Sequence, residues 1–171
     1  MKHLEAFPGV LRNALALFQG AGIRRRSATG LFAPVEQAWH LADLEVEGYG
    51  ARIEQLLLAD GPHFADFDGG AIAEQRRYID LDLESGLRRF EKARATNVAR
   101  LRSATAEQLE HRATQEGVEG YVTLSRIIEM MMQHDASHAN EIVQLLSEAG
   151  YAIPDELLDV SRLDDPLRRT A

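Results

Sequence analysis

Residues 130–143 read MMMQHDASHANEIV. Met131 and Ile142 fall in step with Leu124 and Ile127 upstream and Leu145 downstream, at helical spacing. That periodicity describes one face of a long helix laid against a core. Thr123 is placed to cap its start and Gly150 to stop it. His134 and His138 lie one turn apart on this face, so both imidazoles project into the same volume. Buried without partners, each ring would cost a few kcal/mol in lost hydrogen bonds. The pair is therefore either two core histidines bonded to polar neighbours or two parts of a metal site.

Working outward, three more long helices are expected. Leu4, Phe7, Leu11, Leu15 and Phe18 form the first apolar stripe, with the regular helix starting near Pro8 and ending before Gly20. The second opens at Pro34 and runs to about Leu58 along a seam of Val35, Trp39, Ala42, Val46, Tyr49, Ile53 and Leu56. The third spans about Leu81 to Leu101, with Leu83, Leu87, Phe90 and Leu101 inward. A stretch of about 20 residues, DGPHFADFDGGAIAEQRRYID (60–80), joins helices two and three, where a tight antiparallel hairpin needs roughly 2–8. A crossover of that length leaves the two helices parallel. The expected fold is all-α, a four-helix bundle with up-down-down-up topology. It forms a single domain over residues 1–171, with the bundle at about 5–150 and a polar tail at 151–171 lying on the surface. TAEQLE (105–110) is expected to add a short helix.

Composition supports this class and narrows the partners. Apolar residues make up 45% and aromatics only 6%, so Ala, Leu, Glu and Arg dominate and favour helix over strand. The net charge of −8 repels phosphate and argues against nucleic acid as a partner. With no cysteine, a metal can be held only by His, Asp or Glu. MKHLEAFPGV lacks an apolar run of signal-peptide length, and no window approaches the ~20 apolar residues of a membrane span, so a cytoplasmic protein is expected.

The third candidate ligand is His40, about two turns into helix two. If helices two and four are antiparallel neighbours, its depth matches that of His138 to within a turn. Three histidines leave at least one coordination position open, the arrangement of catalytic rather than closed structural sites. Asp43, one turn on, is a candidate base or a hydrogen-bond acceptor orienting His40, with a solvated carboxylate as the plain alternative. Asp135 is a candidate for a similar supporting role, and Glu141 for a fourth ligand or base. Arg24, Arg25 and Arg26 precede helix two and would draw an anionic substrate toward the mouth of the site. His63 reads as a loop histidine, His3 and His111 have no evident partner, and Met130 to Met132 read as core packing.

PVEQAWHLADLE (34–45) together with HDASHANEI (134–142) resembles the DinB/YfiT-like superfamily, through helix order and spacing over residues 5 to 150. The resemblance implies the same up-down-down-up bundle, a homodimer, and a divalent metal such as nickel, zinc or iron. His40, His134 and His138 match the family's metal triad one for one. It further implies that water or a low-molecular-weight thiol is activated against a small-molecule substrate, giving hydrolysis or, slightly favoured, S-transfer. The motifs that mark the thiol-transferase branches are not clear in this chain. A non-catalytic stress-response or ligand-binding dimer, with a structural metal closed by Glu141 or Asp43, is the alternative.

Overall fold

A computed structural model describes residues 1–162, so 163–171 of the expected tail lie outside the described residues. The bundle consists of α1 (Lys2–Leu15), α2 (Pro34–Asp43) continued through a π-helical turn, Leu44–Gly50, into α3 (Ala51–Leu58), and the two long helices labelled below. Between α3 and the third long helix lie β1 (His63–Phe64) and α4 (Gly69–Gln75). Then come α5 (Leu83–Arg102), α6 (Ala106–Glu110), β2 (Ala113–Gln115), β3 (Val118–Val122), α7 (Leu124–Glu148) and α8 (Asp155–Ser161).

Side-chain pairs fix the directions. Arg12 near the end of α1 meets Glu84 at the start of α5 (2.6 Å), while Glu5 meets Arg102 at its end (2.6 Å), so these two helices are antiparallel. Trp39 Nε1 donates to the carbonyl of Asp82 (2.9 Å), and Arg100 reaches Glu54 (3.3 Å), so α2–α3 runs parallel to α5. Gln37 faces Glu141 (2.6 Å) and Tyr49 faces Met130 (3.2 Å), so α7 runs against α2. The order is up-down-down-up, the topology that the crossover length favoured.

Two helices depart from expectation, each because a distant side chain satisfies a backbone group. Helix α1 begins at Lys2 and carries Pro8 inside it. Pro8 has no N–H for the carbonyl four residues back, that of Leu4. The Arg94 guanidinium, from α5, donates to that carbonyl instead (3.2 Å). In the π turn the carbonyl of Glu45 accepts from Asn97 Nδ2 (2.8 Å). Gly50 sits where any Cβ would lie 2.8 Å from that same carbonyl oxygen. The extra residue of the π turn shifts the apolar seam. Val46, expected inside, is 38% exposed, and Glu45 takes its place at 1%.

The result is a core in two halves. Phe7, Leu11, Leu41, Phe90, Ile142 and Leu145 fill one. Leu4, Leu44, Ile53, Val98, Ile127 and Met131 fill the other. Each fully buried Leu, Ile or Phe contributes roughly 1.5–3 kcal/mol by leaving water. Between the halves lies a polar layer in which Arg94 pairs with Asp135 (2.8 Å) and Glu45 (2.9 Å), all three buried. Burial opposes the Arg94 cation, but the two carboxylates outweigh it and raise its pKa. The histidine site occupies this same layer.

Two smaller features went unexpected. β1, β2 and β3 form a sheet, β1 parallel to β2 and β2 antiparallel to β3, closing one end of the bundle with Phe64, Ala113 and Val122 buried. The expected surface tail in fact turns inward at α8, where Leu157 and Val160 join the first core half. The short helix at 105–110 is α6, capped by Thr105. No helix of the described residues is long and apolar enough to cross a membrane.

Candidate metal centre

α2 and α7 bring His40, His134 and His138 together, with one ring nitrogen of each within 4.8 Å of the others. Nε2 of His134 lies 3.4 Å from Nε2 of His40 and 3.1 Å from Nε2 of His138. A tetrahedral zinc with nitrogen ligands at ~2.0–2.1 Å sets those nitrogens about 3.3–3.4 Å apart. The two spacings to His134 thus suit one small divalent ion.

The proton positions agree. His138 Nδ1 lies 2.5 Å from Gln37 Oε1. Gln37 is oriented by its amide nitrogen, which donates to Glu141 Oε2 (2.6 Å) and more weakly to the carbonyl of Phe32 (3.5 Å). The oxygen toward His138 can only accept, so Nδ1 carries the proton and the Nε2 lone pair faces the centre. Burial, reinforced by the neighbouring His138, pushes His40 down to about 4. Burial, with His138 and His40 adding, holds His134 well below the usual histidine range. Both rings are neutral near pH 7, the form that binds metal.

The acids do not complete the shell. Asp43, expected beside His40, is turned away into a cluster of its own. It accepts from Tyr78 (2.6 Å), from Arg89 (3.0 Å) and from Arg76. The orienting contact to His40 is therefore not made, and among the described residues the buried His40 Nδ1 has no hydrogen-bond partner. Glu141 sits behind His138, 3.3 Å from Nδ1 rather than on the Nε2 side. Burial works to raise this carboxyl, but the contacts to His138 and Gln37 prevail and hold it below its usual range. Asp135 is committed to Arg94. Among the described residues the cluster has three ligands, and His134 is the partly exposed one.

Phe32 and Phe67, both half-buried, flank His40 with ring centroids at 5.4 and 6.4 Å, and Tyr49 stands edge-on to His134 at 6.1 Å. The chain matches the family model of the DinB superfamily over residues 3–142. It belongs to the DinB superfamily. Among solved structures, this DinB-superfamily chain superposes on YfiT from Bacillus subtilis with a TM-score of 0.80 at 20% identity. The match covers 88% of this chain and 86% of that one. YfiT is described as "a probable metal-dependent hydrolase with an unusual four-helix bundle topology". No curated protein matches the chain in sequence.

The remaining candidates sort by their contacts. Arg26 is bound through two nitrogens to Glu36 (2.5 and 2.7 Å), and Arg24 reaches the carbonyl of Leu81 (3.2 Å). Arg25 lines a separate cavity of about 370 Å³ with Phe18, Glu148 and Tyr151. Among the described residues none of the three arginines hydrogen-bonds to the histidines. His63 pairs with Thr114 (2.9 Å) and His111 with the carbonyl of Leu56 (2.6 Å), both away from the triad. His3 stacks on Phe7, and Met131 is core. Sequence reasoning missed Gln37. Gln37 was within reach, since it stands one turn before His40 and so on the same side of α2.

Proposed function

We propose that this protein is a metal-dependent enzyme in which His40, His134 and His138 hold a divalent ion of the nickel, zinc or iron kind. A small nucleophile, water or a low-molecular-weight thiol, is activated there against an electrophilic small molecule. The observation that carries this reading is the three-ligand shell: Glu141 and Asp43, the two acids that would close it, are both engaged elsewhere. A closed structural site needs a fourth ligand, and an open one exposes a position to substrate. When bound, the ion would supply Lewis acidity and lower the pKa of the nucleophile at that position.

The chain's own residues define the rest. Gln37 fixes the tautomer and angle of His138, and Glu141 stays ionised behind it. Burial keeps the His40 and His134 rings neutral, the form in which each can offer a lone pair to the ion. Phe32, Phe67 and Tyr49 wall the site with aromatic surface that excludes water from the buried side. The description of YfiT supports hydrolysis as the favoured outcome, with S-transfer as the second arm of the test.

The test is to purify the protein and measure metal per chain by mass spectrometry. Turnover is then assayed on ester, amide and alkyl halide panels, with and without added thiol. We expect close to one equivalent of metal and turnover abolished in His138→Ala. A folded protein with no bound metal, or turnover indifferent to His138→Ala, overturns the reading.

A further inference from the structure

His40 and His138 are held in opposite ways. His138 has an acceptor on Nδ1, whereas His40 Nδ1 is buried and, among the described residues, unpaired. Among the described residues no polar group meets the ring on its Nδ1 side, so packing must hold it there. Against this side of the ring stands the backbone of Gly69, the first residue of α4. A Cβ built on Gly69 would lie 2.7 Å from His40 Nδ1 and closer still to Cε1. Both separations are inside the closest approach that carbon and a ring atom tolerate.

Gly69 does not have the positive φ that would demand glycine, and it opens a helix, where alanine is the better former. Local structure leaves the residue unexplained, and the contact with His40 explains it. We propose that Gly69 is a positioning residue for the triad. Its bare Cα forms the seat against which the His40 ring rests, keeping His40 Nε2 at 3.4 Å from His134 Nε2. Phe32 and Phe67 hold the ring from its other sides. Steric seating on α4 thus replaces the hydrogen bond that His138 donates to Gln37. It also ties the crossover between the parallel helices to the geometry of the site. The effect on metal rests on the proposed function; the seating of the ring does not.

Gly70 supplies the control. It also lacks a positive φ, and a Cβ there meets only Asp68 Oδ1, at an ordinary 3.5 Å. The experiment compares the wild type with Gly69→Ala, Gly70→Ala, His40→Ala and the double variant His40→Ala with Gly69→Ala. Imidazole resonances of the metal-free proteins are read in long-range ¹H–¹⁵N spectra, thermal midpoints by circular dichroism, and Zn²⁺ affinity by competition with a chromophoric chelator.

We expect Gly69→Ala to shift the His40 resonances and weaken Zn²⁺ binding at least tenfold. Gly70→Ala should match the wild type, and Gly69→Ala should add nothing once His40 is alanine. Unchanged His40 resonances in Gly69→Ala overturn the proposal, as does an equal loss in Gly70→Ala. If the wild type binds none of Zn²⁺, Ni²⁺ and Fe²⁺, the enzyme reading fails while the resonances still decide the seating. If Gly69→Ala does not fold, the double variant must regain the midpoint of His40→Ala. Failure to regain it overturns the contact.

Discussion

Replacing Gln37 by leucine tests the tautomer argument most directly. Gln37 is 0% exposed, and its side chain joins His138 at 2.5 Å to Glu141 at 2.6 Å. Leucine has similar volume and no polar atoms, so the core stays filled while His138 Nδ1–H and a Glu141 oxygen lose their partner. Leaving a buried donor unsatisfied costs about 1–3 kcal/mol. If that cost falls on the ligand's orientation, metal affinity drops between about 5- and 150-fold, at 1.4 kcal/mol per factor of ten. Glu141 Oε2 is already 3.3 Å from Nδ1 and can swing in as a substitute acceptor. We therefore expect Gln37→Leu to weaken Zn²⁺ binding about tenfold, and Gln37→Leu with Glu141→Leu about a hundredfold, the span expected for partners of metal-ligating histidines. Chelator competition at pH 7.5 measures the affinities, and circular dichroism confirms the fold. Two folded variants that both bind within about threefold of wild type would refute the reasoning.

Removing a ligand is more severe: His138→Ala or His134→Ala should abolish stoichiometric metal binding while leaving helical circular dichroism intact, checked by metal content after dialysis. The metal-free protein should lose stability in acid. His40, at about 4 when folded, and His134, also lowered, take up protons on unfolding as pH falls below the unfolded histidine value of ~6.5, so stability is retained above that pH and declines toward 4. With two protons taken up, the slope approaches ~2.7 kcal/mol per pH unit, read from urea midpoints across pH 4–7, and a flat profile contradicts it. Arg94→Met strands two buried carboxylates and the Leu4 carbonyl, and should cost about 3–5 kcal/mol in chemical denaturation. Gly50→Ala drives a methyl onto the Glu45 carbonyl in the π turn and should lower the thermal midpoint, whereas the same change at exposed Gly9, where a Cβ meets nothing, should not.

Much of the bundle is written in local spacing. The stripe from Leu124 to Leu145, the Thr123 cap and the Gly150 stop predict α7 to within a residue, because each depends on neighbours three or four positions away. The crossover length favours parallel second and third helices over a simple meander. What local spacing misses are the places where a distant donor rewrites a local rule. Pro8 reads as a helix start until Arg94 supplies the bond to Leu4 that proline cannot make. Val46 reads as core until the π turn, held open by Asn97, exchanges it for Glu45.

The site divides the same way. That His134 and His138 share a face is a property of a 3.6-residue helix; the depth of His40 matches theirs if helices two and four are antiparallel neighbours, and the resemblance to the DinB/YfiT-like superfamily completes the triad. The sequence by itself cannot determine which way a carboxylate turns. Asp43 and Glu141 stand one turn from His40 and His138, and nothing in their spacing separates a ligand from a bystander. Tertiary structure decides it, by setting Tyr78, Arg76 and Arg89 around Asp43 and by placing Gln37 between Glu141 and the imidazole. It also sets Gly69 against His40 from 29 positions away in the chain. Helical spacing is fixed by bonds along one backbone, whereas the openness of a metal site depends on which groups other elements bring to its edge.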